Sequence, residues 1–137
     1  ARRQGVGVAR PAAYRFDWDE YQTLVVISPG GKGMRSTAWV VTSDKEGNLA
    51  VAYRATAFRD AAGLVHIDAR KALLSGPMAK DGQWSPDSFA ITPEGRVHAI
   101  DDRNSASSGT VVETFTPDSP SYLKAYATAV ATVRETS

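Results

Sequence analysis

Short runs in which apolar and polar residues alternate, each followed by a turn-forming segment, make up most of this chain of 137 residues. Residues 14–21 (YRFDWDEY) place Tyr14, Phe16 and Trp18 on one side, and residues 49–58 (LAVAYRATAF) alternate in the same way. A period of two is that of a β-strand with one buried face. Turn segments such as DKEGN and RDAAG separate successive runs, so the sequence predicts consecutive antiparallel strands in a meander.

Two segments break this pattern and predict helices. Asp68 precedes ARKALLSGP, a run of helix-forming residues that ends in Gly-Pro, so Asp68 is interpreted as the N-cap of a short helix. Ser119 and Pro120 begin a longer helix near the C-terminus, with Ser119 as its cap. An apolar stripe at three- and four-residue spacing follows, formed by Leu123, Tyr126, Ala127, Val130 and Val133. This helix therefore needs a partner along one face, and the sheet is the simplest one.

These elements predict the α+β class: a mainly antiparallel sheet of about 6–7 strands, built from hairpins, with one short middle helix and a long C-terminal helix packed on one face. The length is that of a single domain, and a hydrophobic content of 42% suffices for one core. We expect a flexible basic N-terminal arm over residues 1–13 and one α+β domain over residues 14–137. The longest apolar run, LVVI, is far shorter than the roughly 20 residues that cross a bilayer, so no membrane span is expected.

Positive charge is concentrated in the first quarter of the chain. The formal net charge is only +1, yet residues 1–35 carry six Arg and Lys residues against three Asp and Glu. A basic arm of this kind can contact nucleic acid, an acidic surface or a neighbouring subunit. A solvated terminus with no partner is the competing interpretation.

Cysteine is absent, which excludes disulfides, thiolate metal ligands and cysteine nucleophiles but does not fix the cellular compartment. The chain starts with ARRQG. Removal of a leader, clipping of a methionine before Ala1 or trimming of a longer chain would each produce this start. We expect an extracytoplasmic or secreted protein.

The two histidines occur in similar runs, GLVHIDAR and GRVHAIDD. If the two strands are neighbours, His66 and His98 approach each other, and Asp101 or Asp102 can orient one imidazole. Two nitrogens and a carboxylate are the minimum for a metal site with open positions, and they equally form half of an acid–base pair. No spacing here matches a specific motif such as H-E-x-x-H, so ordinary half-exposed strand positions are the alternative.

The glycine-rich segment SPGGKGMRST, residues 28–37, is a second candidate site. Gly30 and Gly31 allow backbone N–H groups to converge on an anion, and Lys32 and Arg35 add positive charge. The G-x-x-x-x-G-K-[ST] spacing is missing, however, and the residues that follow predict a strand instead of the helix that such loops require. A hairpin loop that recognises a partner fits this segment better.

Trp84 is the third candidate, because Gln83, Ser85 and Pro86 flank it in a predicted loop. An exposed indole ring of this kind can stack on a carbohydrate or a nucleobase. A tryptophan folded under its own loop is the alternative.

No nucleophile motif or catalytic constellation is present, and the sequence predicts no cofactor. We therefore expect a non-catalytic binding or assembly module. Its sheet is the scaffold, and its basic arm and loop 28–36 contact a protein partner or further copies in a homo-oligomer. One alternative is a small metal-assisted or acid–base hydrolase centred on His66, His98 and Asp101. Another is a nucleic-acid-binding protein, or one that takes an anionic ligand, through the arm and the loop.

Overall fold

The structure is a computed structural model, and it describes residues 11–18, 20–28, 35–80, 88–99 and 108–136. Within these ranges the chain forms nine strands and two helices. The strands are β1 (Ala12–Trp18), β2 (Tyr21–Ser28), β3 (Ser36–Asp44), β4 (Leu49–Arg59), β5 (Val65–Asp68), β6 (Leu74–Ser75), β7 (Phe89–Ile91), β8 (Arg96–Ala99) and β9 (Ser108–Phe115). The helices are α1 (Pro77–Lys80) and α2 (Pro120–Thr136).

Eight of the strands form a closed antiparallel barrel. Their spatial order is β3, β2, β1, β9, β8, β7, β5 and β4, and β4 pairs with β3 to complete the ring. Strands that follow one another along the chain are neighbours, and the ring closes where β9 pairs with β1. Each of the eight strands is thus paired on both sides, which removes the edge strands through which open sheets associate.

The predicted α+β architecture, a sheet with two helices packed on one face, is wrong. Antiparallel pairing is confirmed, but the sheet closes on itself instead of presenting a face to a middle helix. Alternation of apolar and polar residues is the same in an open sheet and in a barrel. Closure depends instead on pairing between the first and last strands, and no local pattern encodes that contact.

The predicted helix after Asp68 does not form. Asp68 accepts a hydrogen bond from the backbone N–H of Arg70 at 3.2 Å, which makes a turn, and the chain then returns to β4 as the two-residue strand β6. The Ser75 hydroxyl donates to the carbonyl oxygen of Ala52 at 3.2 Å. A helix of about seven residues is marginal without tertiary support, so pairing with β4 overrides the local helix propensity.

Strands β5 and β6 are two parts of one interrupted strand beside β4. Asp68 pairs with Thr56, and Leu74 pairs with Tyr53. Residues 69–73 therefore lie opposite only two residues of β4 and bulge outward, which leaves the side chain of Leu73 86% exposed.

Side chains fill the interior of the barrel. The inward-facing cluster is buried, with no member more than 8% exposed: Phe16, Val25, Ile27, Ala38, Val40, Val51, Tyr53, Ala55, Ala57, Val65, Ile67, Ala69, Phe89, Ile91 and Val97. An eight-stranded barrel is narrow enough to be filled in this way. The described inward-facing residues therefore form a packed core.

Helix α2 packs on the outer surface of the barrel, across β1 to β4. Its cap is as predicted, because the Tyr122 N–H donates to the Ser119 hydroxyl at 3.1 Å. The buried face is shifted from the predicted stripe: Tyr122, Ala125 and Ala129 are buried, whereas Leu123 is 55% exposed. None of the described helices is long and apolar enough to cross a membrane.

Tyr122→Phe is expected to lower the free energy of unfolding by about 1–2 kcal/mol, because it leaves a buried acceptor without its donor. The Tyr122 hydroxyl donates to the carbonyl oxygen of Ile27 at 2.9 Å in a buried contact. Tyr126→Phe is the matched control. In the wild type, the ring of Tyr126 packs edge-on against Trp39, with 5.3 Å between ring centroids. The hydroxyl of Tyr126 makes no hydrogen bond to a described residue. Chemical denaturation should separate the two variants, and equal losses would contradict this role of Tyr122.

Candidate binding site on the outer face of the barrel

One row of side chains on the outer face of the barrel crosses four neighbouring strands, β4, β5, β7 and β8, and extends to the residue before β3. Strand registry places Phe58 opposite His66, His66 opposite Ala90, and Ala90 opposite His98. Arg35 continues the row on the other side, since Ser36, the residue after it, pairs with Ala57. We call these five residues the Arg35–His98 row. The alternation that turns Ala57, Ile67 and Val97 into the core turns the row to the outer side of the sheet, where Ala90 is nevertheless buried, at 4% exposed.

The first half of the row is a stack of a cation and two rings. The guanidinium carbon of Arg35 lies 4.5 Å from the centroid of the Phe58 ring. The imidazole of His66 stacks on the same phenyl ring, with 4.7 Å between centroids and 5° between planes. A guanidinium over an aromatic face is stabilised by roughly 0.5–1 kcal/mol at an exposed site, so Phe58 fixes where the charge of Arg35 is presented.

Asp60 holds the imidazole of His66 in place. Nε2 of His66 lies 2.8 Å from Oδ2 of Asp60. The other carboxylate oxygen, Oδ1, accepts the backbone N–H groups of Ala62 and Leu64 at 2.9 and 3.0 Å. The hydrogen bond from His66, followed by those backbone bonds, lowers the pKa of Asp60 below its usual value. An ionised carboxylate only accepts hydrogen bonds, so Nε2 of His66 carries the proton and donates it.

The negative charge of Asp68 is paired with the guanidinium of Arg70, two residues further along the chain. Its carboxylate accepts hydrogen bonds from Nε and Nη2 of Arg70 at 2.9 and 2.7 Å. This bidentate contact, more than any other, lowers the pKa of Asp68 to about 2. Nη1 of Arg35 forms a second, longer ion pair with the same carboxylate at 4.0 Å, and the charge of Arg35 makes a smaller contribution to the lowered pKa. The interpretation of Asp68 as a helix cap is therefore replaced by a role in a turn.

Asp68 is expected to make the protein less stable in acid. Its pKa of about 2 lies below the ordinary value of 3.8, so its stabilisation is present above that ordinary value and is lost as the pH falls towards 2. Arg70 is 80% exposed, and solvent screening reduces the contribution to about 1 kcal/mol. Thermal unfolding is measured from about pH 6 to about pH 2, a range that includes the titration of Asp68. The acid-induced drop in Tm should be smaller for Asp68→Asn than for the wild type. The exposed Glu94→Gln serves as control, and identical profiles for Asp68→Asn and the wild type would contradict the assignment.

The structure brings some of the predicted site residues into the row and separates others. Arg35, His66 and His98 share the outer face, but β7 lies between the two histidine strands. Two strand spacings put the histidine Cα atoms about 10 Å apart, so the condition of neighbouring strands is not met. Among the described residues, no group of three His, Asp or Glu side chains is arranged to hold a metal ion. The remaining candidates lie outside the described residues: Gly30, Gly31, Lys32, Trp84, Asp101 and Asp102.

Sequence reasoning missed Phe58 and Asp60. A signal for Phe58 was present, because the alternation of residues 49–58 leaves it as the large apolar side chain on the face opposite Val51 and Tyr53. Its neighbours Arg35 and His66 come from other strands, and only the registry of the sheet shows that the three side chains meet. The partnership of Asp60 with His66 depends on the turn between β4 and β5.

The surroundings of the row are basic. Arg35 and the segments 54–58, 60–71 and 92–98 together carry five Arg and Lys residues against three Asp and Glu. Two of those carboxylates, Asp60 and Asp68, already accept hydrogen bonds from His66 and Arg70. The positive charge that remains on this face is therefore available to an anionic partner.

The geometry alone must identify what this face binds. No known protein family, curated protein or solved structure gives a significant match to this chain.

Proposed function

We propose that this protein is a non-catalytic binding module whose outer barrel face, at the Arg35–His98 row and the adjoining loop 28–36, binds an acidic segment of a partner protein. The observation that carries the proposal is the position of Arg35. Its side chain is half exposed (50%) and its guanidinium is held over Phe58, while the nearby carboxylate of Asp68 is bound bidentately by Arg70.

A positioned guanidinium suits a carboxylate partner for two reasons. Its planar fork of N–H groups matches a carboxylate with two parallel hydrogen bonds. Stacking on Phe58 restricts the rotamers of Arg35 before a partner arrives, which reduces the entropy lost on binding. Arginine and aromatic residues are also the types that contribute most of the energy in protein–protein interfaces.

An acidic protein segment fits this face better than a nucleic acid does. A net charge of +1 over the whole chain gives little of the long-range attraction on which phosphate-backbone binding depends. The two carboxylates beside the row, although bonded internally, would also lie close to a continuous line of phosphates. A single carboxylate bound to Arg35 needs no long-range attraction and can stay away from the two carboxylates beside the row.

A metal-assisted or acid–base hydrolase centred on His66, His98 and Asp101 has less support. His66 and His98 lie on strands that β7 separates, and no group of three His, Asp or Glu side chains among the described residues is arranged to hold a metal ion. Nε2 of His66 is moreover already bonded to Asp60 at 2.8 Å, which leaves that nitrogen with a structural partner.

Arg35→Gln tests the proposal. A hexaglutamate peptide serves as the probe, and binding to the wild type is followed by NMR chemical shifts. We expect the peptide to shift the Arg35 side-chain signal, and Arg35→Gln to weaken its affinity about tenfold, as loss of one interface arginine typically does. Arg134→Gln removes the same charge from the exposed last turn of α2 and should leave the affinity within about twofold.

Two outcomes would overturn the proposal. Equal weakening by both variants would show that the peptide responds to net charge alone. Tighter binding of a single-stranded oligonucleotide than of the peptide, with an affinity that falls steeply with salt, would assign the face to nucleic acid.

A further inference from the structure

A second surface feature lies at the end of the barrel opposite Ser28 and Ser36, where β2 ends and β3 begins. An open cleft of about 500 Å³ is present there. It is lined by the turn between β1 and β2, the turn between β3 and β4, and helix α1. Tyr21, Leu49 and Met78 contribute apolar surface to the cleft, and Glu20, Asp44 and Glu46 contribute carboxylates. This volume is within the range of pockets that bind ligands or a few residues of a peptide.

Three carboxylates line the cleft, and two of them are exposed. Asp44 accepts the backbone N–H groups of Glu46 and Asn48 at 3.0 and 2.8 Å, and the bonds from Asn48 and Glu46 lower its pKa. Glu20 and Glu46 are exposed at the rim. Lys45 also lines the cleft and offsets one of the three negative charges, so the cleft is acidic in a chain of net charge +1.

Residues 1–10 of the chain have the complementary chemistry. Their sequence, ARRQGVGVAR, carries Arg2, Arg3 and Arg10 and no acidic residue. Val6 and Val8 supply apolar side chains between the basic groups, to match the apolar surface of the cleft. From this double complementarity we propose that the cleft binds residues 1–10 of a second copy of the chain.

The geometry of the barrel favours a second copy over the same one. Strand β1 begins at Ala12, at the end of the barrel far from the cleft, and its seven residues span roughly 23 Å. Ten residues extend at most about 33–36 Å. Reversing direction uses about four of them, as in a β-turn, so too few remain both to travel the length of the barrel and to fill the cleft.

The result is a head-to-tail contact, because Ala12, where β1 begins after the donated segment, and the receiving cleft lie at opposite ends of one barrel. Contacts of this heterologous kind form rings or open chains of copies, unlike the closed pair of a twofold dimer. This inference does not depend on the Arg35–His98 row, since it uses neither Arg35 nor any other residue of that row.

Charge reversal in the full-length protein tests the proposal. Sedimentation velocity of the wild type, from about 10 µM to 1 mM, should show an average mass that rises with concentration, since weak specific contacts have dissociation constants in this range. Arg2→Glu with Arg3→Glu, and separately Glu20→Arg with Glu46→Arg, should each lower the association constant at least tenfold. An equimolar mixture of the two double variants should recover association, because each then offers the charge that the other lacks.

Controls separate this contact from the proposed function. Glu94→Arg with Glu135→Arg makes the same charge change outside the cleft and should leave association within twofold, and Arg35→Gln should also leave it unchanged. A wild type that stays monomeric at the highest concentration, or association that either cleft or arm reversal leaves unchanged, would overturn the proposal. So would a mixture of the two double variants that does not associate.

Discussion

Phe16→Ala is expected to lower the free energy of unfolding by about 3–5 kcal/mol, which is the usual cost of removing a buried phenyl ring. Phe16 is 1% exposed and packs edge-on against Phe89 on the far side of the barrel, with 5.6 Å between ring centroids. Its strand is paired on both sides, by β2 and by β9, so the wall cannot move inward to fill the space. The free energy of unfolding of a domain is commonly about 5–15 kcal/mol, so a loss of this size is a large fraction of the total stability.

Denaturant unfolding of Phe16→Ala beside Phe58→Ala provides the measurement. Phe58 undergoes the same chemical change, but it lies half-buried on the outer face, where loss of its contacts with Arg35 and His66 should cost only about 1 kcal/mol. The slope of the unfolding free energy with denaturant should be unchanged if only stability is affected. Similar losses for the two variants would contradict a densely packed interior.

The local elements of the fold could be predicted from the sequence. Alternation identified the strands from Tyr14 to Trp18 and from Leu49 to Phe58, and the glycine of DKEGN marked the hairpin at which Gly47 adopts φ 91°. Ser119 was identified as a helix cap before its hydrogen bond to the Tyr122 N–H was known. Each of these features depends on residues close together in the sequence, where propensity and side-chain capping decide the conformation.

The closure of the barrel depends on contacts between distant residues. Arg15 and Glu113 form an ion pair of 3.2 Å across β1 and β9, and the registry between these strands shifts between Arg15 and Phe16. Nothing near either residue predicts that partner. In the segment after Asp68 the local pattern and the distant contacts disagree. The local pattern favours a helix, but pairing with β4 makes Leu74 and Ser75 a strand.

The candidate site was predicted as separate residues and not as an arrangement. Arg35 was assigned to a glycine-rich loop and His66 to a histidine pair, whereas the structure joins them through Phe58. Which residues become neighbours across a sheet is set by registry, and a shift of one residue would turn the same side chains into the core. The predictions for Gly30, Gly31, Lys32 and Trp84 remain predictions, since those residues lie outside the described ranges.

Gly76→Ala is expected to lower the free energy of unfolding by about 3 kcal/mol or more, because strained backbone and a steric clash add together. Gly76 joins β6 to α1 with φ 116°, a conformation that side chains of L-residues rarely adopt. A Cβ atom there would lie 2.9 Å from both the carbonyl oxygen of Ala50 and the Cα of Val51. Both are backbone atoms of β4, and moving them would disturb its pairing with β3 and β6.

Gly47→Ala separates the two causes of that loss. Gly47 also has a positive φ, 91°, but a Cβ atom there would have no atom within 4 Å apart from those of Gly47 itself and its two chain neighbours. Only the conformational strain applies, and it should cost about 1 kcal/mol. Denaturant unfolding of the two variants then measures the clash as the difference between them, about 2 kcal/mol. Equal losses would mean that β4 yields to the added methyl group, and the close packing of residues 74–76 against β4 would have to be abandoned.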